Sequence, residues 1–146
     1  MFKYKSILVL SIVCLSIYSS NAQSNSEKEV TAAIETYFKG YKAGNPEILK
    51  EVFHENFHLS WSDPWRNNSF FQVDRKGMFE FFGADWSKLD ISTQILETKV
   101  FDRSAFCLAK VTLEGIVIWT DHINLLKLEN GKWWIVSKTS EGELVK

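Results

Sequence analysis

The sequence predicts an α+β domain in which helices pack on one face of an antiparallel β-sheet. Three observations predict it. Val30, Ile34, Tyr37, Phe38 and Tyr41 recur at helical spacing and form one apolar face. From Ile91 onward the pattern changes to strands rich in β-branched residues, joined by short turns. No internal repeat or linker interrupts the 146 residues, a length that holds one ordinary domain.

The elements follow in order. Ser26-Glu27-Lys28-Glu29 fits a capping box at the start of the first helix. Gly44 ends that helix as a left-handed cap. Asn45-Pro46 starts a second helix, with Asn45 as N-cap and Pro46 at the first helical position. Ile48, Leu49, Val52 and Phe53 form its buried side, and it is expected to end near Glu55. Phe57 to Asp63 alternates as a half-buried strand. Pro64 to Ser69 reads as a loop, and Asp74 as the cap of a short third helix carrying Met78, Phe79, Phe81 and Phe82, closed by Gly83. Ile91–Phe101, Ala105–Leu113, Ile116–Leu128 and Lys132–Thr139 read as strands. Asn130-Gly131 supplies a hairpin turn before the last of them. In that last strand Trp133 and Ile135 read as core, with Trp134 on the opposite face.

Residues 1–22 read as an address and not as part of the fold. Lys3 and Lys5 precede an apolar run from Ile7 to Ile17, and Ser20-Asn21-Ala22 offers small residues before Gln23. That is the secretory signal-peptide pattern, and the run is short for a membrane span. The expected mature unit is a single domain, 23–146, exported to the periplasm or secreted, with no membrane association after cleavage. With Lys3 and Lys5 removed, 15 basic residues stand against 18 acidic ones, a net charge of −3. That balance excludes a nucleic-acid binder that relies on phosphate neutralisation. Cleavage also removes Cys14 and leaves Cys107 without a disulfide partner, so the core must stabilise the fold.

Two helices joined by Ala43-Gly44-Asn45-Pro46 lead into Phe53-His54-Glu55-Asn56-Phe57. A late strand carries Trp119-Thr120-Asp121-His122, and the chain closes with Leu125-Leu126-Lys127-Leu128 and Gly131-Lys132-Trp133-Trp134-Ile135-Val136-Ser137-Lys138. From about Ser26 to the C-terminus this resembles the NTF2-like superfamily, especially the exported SnoaL-like branch labelled "putative lumazine-binding". The resemblance implies a cone: three N-terminal helices packed on a curved antiparallel sheet, often in a dimer. Relatives include an isomerase, a cyclase, a dehydratase and many non-enzymatic binding modules.

Asp121 is the most informative polar residue. It shares strand parity with Val117, Trp119, Ile123 and Leu125, so it interrupts an apolar face. Burying a carboxylate there is costly unless it is paired or its proton affinity shifts. It is therefore a candidate general base, or a structural carboxylate bonded to a helix end or a tyrosine hydroxyl. His54 is its candidate catalytic partner. Trp61 and Trp119 face inward by alternation, and Asp63 falls near the mouth of the implied cone. Tyr37 and Tyr41 are core by helical spacing, and the resemblance to the isomerases implies that a helix tyrosine can turn its hydroxyl into the pocket; with Tyr37, these residues form the candidate ligand-binding set. His54 and His58 stand four apart, but Asn56-Phe57 should end a helix between them and no third ligand accompanies them. No metal and no cofactor are expected. Cys107, among Ala105, Ala109 and Val111, reads as a small buried hydrophobe.

The functional expectation is an exported domain that binds a small, largely apolar molecule in a cone-shaped pocket. Two alternatives stand beside it. One is a metal-independent isomerase, cyclase or dehydratase using Asp121 as base. The other is a dimeric interaction module with a filled cone. Apolar residues on the outer sheet face admit a homodimer in each case.

Overall fold

A computed structural model describes residues 25–81 and 88–146. Helix α1 covers 25–43 and α2 covers Pro46–Lys50. Strand β1 (Phe53–Asp63), a single 3-10 turn (Pro64–Arg66), strand β2 (Ser69–Asp74) and helix α3 (Arg75–Phe81) follow. Strands β3 (Ile91–Phe101), β4 (Ser104–Leu113), β5 (Val117–Lys127) and β6 (Trp133–Leu144) complete the chain. They form one sheet in the order β2-β1-β6-β5-β4-β3.

The sheet is mixed, which corrects the expectation of a purely antiparallel one. β1 pairs with β6 in parallel, while every other pair is antiparallel. Parallel neighbours need a long connection, and here β2 to β5 provide it. The helices also differ from expectation. Only α1 is long. α2 is a five-residue turn, and α3 follows β2, so it is not N-terminal.

Local chemistry accounts for the helix boundaries. Gly44 takes φ 58° and its N–H donates to the Tyr41 carbonyl, which closes α1. The Asn45 side chain accepts from the Glu47 N–H and caps α2. Gly40 lets α1 and α2 touch, since a Cβ there would lie 2.6 Å from Leu49 Cδ2. α2 stops at Lys50, short of Glu55, because the Val52 carbonyl accepts the Ile135 N–H at 2.8 Å and Phe53 enters the sheet. Residues 25 and 26 are already helical, and Glu29 bonds Lys127 and Trp133 instead of returning to Ser26. β2 is an edge strand where no strand was expected. Asp74 does cap α3, accepting from the Gly77 N–H at 2.8 Å. Phe82 and Gly83 lie outside the described residues.

One core joins these elements. Val30, Ile34, Tyr37 and Phe38 of α1 meet Phe53 and Phe57 of β1 and the inward residues of β4, β5 and β6. β4 alternates as expected, with Ala105, Cys107, Ala109, Val111 and Leu113 buried. Three of these are small, which leaves volume for the rings in the same cluster.

Candidate functional site

The inner face of the sheet does not fill completely. A cavity of about 270 Å³ remains beside the core. Leu59, Trp61 and Asp63 of β1, Trp65 of the 3-10 turn, and Met78 and Phe81 of α3 form one side of it. Val111 and Leu113 of β4, Val117, Trp119 and Asp121 of β5, Lys138 and Ser140 of β6, and Tyr41 of α1 complete the wall.

The aromatic wall is held by ring contacts. Trp61 stacks on Phe71 at 5.4 Å and meets Phe81 edge-on. Trp119 packs against Trp65 at 6.1 Å. It also covers Gly142, where a Cβ would fall 2.7 Å from Trp119 Cζ3 and 2.9 Å from Pro64 Cγ. Only glycine lets the indole lie that close to β6.

The polar wall centres on Asp121, which is 0% exposed. Its Oδ2 accepts from the Tyr37 hydroxyl at 2.8 Å and from Lys138 Nζ at 2.9 Å. Its Oδ1 accepts from the Ser140 hydroxyl at 2.6 Å. Lys138, 5% exposed, also donates to the Tyr37 oxygen at 2.9 Å. The two charges cancel, and the charge-assisted hydrogen bonds offset the cost of taking them out of water. Burial, and next the Asp121 charge, push the Tyr37 hydroxyl well above its ordinary value. The same two causes raise Tyr41. Both therefore keep their protons, and Tyr37 acts on Asp121 as a donor.

Of the candidate residues, Asp121, Trp61, Trp119 and Asp63 line the cavity. Tyr37 stands behind Asp121 and reaches it through its hydroxyl. This bond is of the kind a structural carboxylate makes to a tyrosine hydroxyl. Asp63 also builds its own turn. Its Oδ1 accepts from the Trp65 N–H at 2.9 Å, and its Oδ2 lies 3.7 Å from Arg66 Nε. His54 is not among the cavity residues. It sits on β1, accepts the Asn56 N–H through Nδ1, and meets the Trp134 ring edge-on at 6.0 Å. His54 and His58 both lie on β1, so helical spacing between them never arises.

Lys138 is the residue that sequence reasoning missed. Alternation from Trp133 and Ile135 turns Lys138 outward with Trp134. The ladder with β5 reverses this. Asn124 pairs with Ser137 and Leu125 with Ile135, so Val136 has no partner on β5. This bulge shifts the parity, and Lys138 and Ser140 turn inward beside Asp121. The pairing of β1 with β6 shifts over the same stretch.

The fold is NTF2-like. An NTF2-like protein of unknown function from Silicibacter pomeroyi superposes with a TM-score of 0.73 at 21% identity, over 82% of this chain and 98% of that one. Another from Shewanella baltica gives 0.71 at 19% identity, over 82% and 95%. A ketosteroid isomerase-like protein from Erwinia carotovora gives 0.60 at 14% identity, over 80% and 95%. No curated protein matches the chain. The model of the family described as "Putative lumazine-binding" matches residues 25–140, and the chain belongs to that family.

Proposed function

We propose that this protein is an exported NTF2-like domain that binds a small, flat, largely apolar molecule in the cavity beneath Trp61 and Trp119. The observation that carries the reading is the cavity itself. It is open, walled mostly by apolar and aromatic side chains, and carries one compact polar cluster at Asp121 and Lys138. Such a composition suits ligand recognition, and the volume sits near the small end of the usual range of about 300–1,000 Å³. A filled cone would favour a pure interaction module. The family description agrees with a ring-shaped ligand.

Binding is favoured over base catalysis by Asp121. Both its oxygens already accept hydrogen bonds. Taking a proton from a substrate would neutralise the carboxylate and leave the Lys138 ammonium buried without its counter-charge. His54, the candidate second group, faces Trp134 instead.

Tryptophan fluorescence tests the reading. Lumazine and related flat bicyclic compounds should quench emission saturably in the purified protein, and Trp119→Ala should abolish saturation. Absence of saturable quenching by every such compound would count against a binding role. Export rests on residues 1–22 and is tested by N-terminal sequencing of the protein recovered from its host, with a start at Gln23 expected. Self-association through the outer sheet face completes the proposal. There Leu126, 40% exposed, pairs in register with Trp134. Sedimentation equilibrium measures it directly, and a monomer mass would remove it.

A further inference from the structure

Lys138 is the only cation among the described residues that line the cavity. Its ammonium carries three N–H donors and no acceptor. One donates to Asp121 and one to the Tyr37 oxygen. The third meets no oxygen or nitrogen acceptor among the described residues, and the Tyr37 and Tyr41 rings stand 5.1 and 5.9 Å from the ammonium. The neighbouring donors are already spent: the Tyr37 O–H and the Ser140 O–H both go to Asp121. Of the donors around Asp121, Lys138 therefore keeps one N–H for an incoming molecule, and it is the charged one.

Charge narrows the choice further. Asp121 and Lys138 cancel, and Asp63, which also lines the cavity, stands 3.7 Å from Arg66 Nε. A ligand carboxylate would add a second negative charge to the apolar space beside Asp121, with a single ammonium to share. A ligand ammonium would crowd Lys138. Uncompensated charge in such a space is expensive. An uncharged acceptor oxygen meets the donor and leaves the balance intact. The flanking indoles of Trp61 and Trp119 fit a flat ring.

Building on the binding function above, we propose that the cavity selects an uncharged, flat molecule bearing a ring carbonyl, and that this carbonyl accepts the third N–H of Lys138. Asp121, Tyr37 and Ser140 are positioning residues that aim the ammonium.

Three two-ring probes of similar size test this by calorimetric titration of the purified protein. Coumarin carries a ring carbonyl and no charge, naphthalene carries no acceptor, and 2-naphthoate carries a negative charge. Coumarin should bind tighter than naphthalene by about tenfold or more, as expected for a hydrogen bond to a charged donor. It should also bind tighter than 2-naphthoate, and its carbonyl stretch should move to lower frequency on binding. The double variant Asp121→Asn with Lys138→Met keeps this end of the cavity uncharged. It should bring coumarin and naphthalene to parity and remove the infrared shift. Equal binding of coumarin and naphthalene by the wild type would overturn the carbonyl proposal alone. So would a coumarin advantage that survives in the double variant, or a preference for 2-naphthoate. Failure of all three probes to bind would overturn the binding function as well. If the double variant does not fold, the wild-type infrared shift decides: its absence sinks the proposal.

Discussion

Lys138 and Asp121 meet at 2.9 Å across β6 and β5, both buried, and a bulge at Val136 brings them together. In the ladder Asp121 pairs with Ser140 and Ile123 with Lys138, so the ion pair runs diagonally across the two strands. Removing one partner leaves the other charge without compensation. Lys138→Met alone should cost about 3–5 kcal/mol. Adding Asp121→Asn should restore much of that loss, because the uncharged amide accepts from one of the Tyr37 and Ser140 hydroxyls and donates to the other. Urea denaturation of the single and double variants measures both. A double-variant loss equal to the sum of the two single-variant losses would mean that the two residues are not coupled.

Gly142→Ala should distort the cavity from behind. The added Cβ would stand 2.7 Å from Trp119 Cζ3 and 2.9 Å from Pro64 Cγ, so the indole or the turn must move. Overpacking of this kind costs about 1–3 kcal/mol. The Trp119 displacement should change the emission spectrum and weaken binding of flat probes. An unchanged spectrum and unchanged stability would show that this contact is loose.

Cys107 should be chemically silent in the folded protein. Burial pushes its thiol up to about 11, so little thiolate exists at pH 8. Its peptide should resist iodoacetamide under native conditions and label in step with urea unfolding. Labelling of the native protein at the rate of a free thiol would contradict the burial.

Glu29 ties α1 to the end of the sheet. Its Oε2 accepts from Lys127 Nζ at 2.7 Å and from Trp133 Nε1 at 3.2 Å. The hydrogen bond from Lys127, above all, holds its carboxyl below the ordinary value of 4.5, against some desolvation. A lowered folded value means that the unfolded chain takes up this proton first as pH falls. The stabilisation is therefore present at neutral pH and disappears as pH falls through the folded value. Glu29→Gln should lower stability by less than about 1 kcal/mol at pH 7, because the pair is only partly buried and water screens it. The gap to wild type should close in acid. A gap that is constant with pH would assign the effect to packing.

Local and periodic features were legible in the chain. The Gly44 cap, the Asn45-Pro46 helix start, the hairpin strands and the inward parity of Asp121 each depend on neighbours close in sequence. Alternation along an unbroken strand is enough to turn Asp121, Trp119 and Trp61 toward one side. What the tertiary structure decided depends on two segments at once. A parallel β1–β6 pairing is a choice made between strands far apart in the chain. It draws Phe53 and His54 out of a helix and sets His54 against Trp134. The bulge at Val136 exists only against its partner strands, so no run of residues announces it. That one-residue shift turns Lys138 inward, because side chains alternate with period two and an extra residue exchanges the faces.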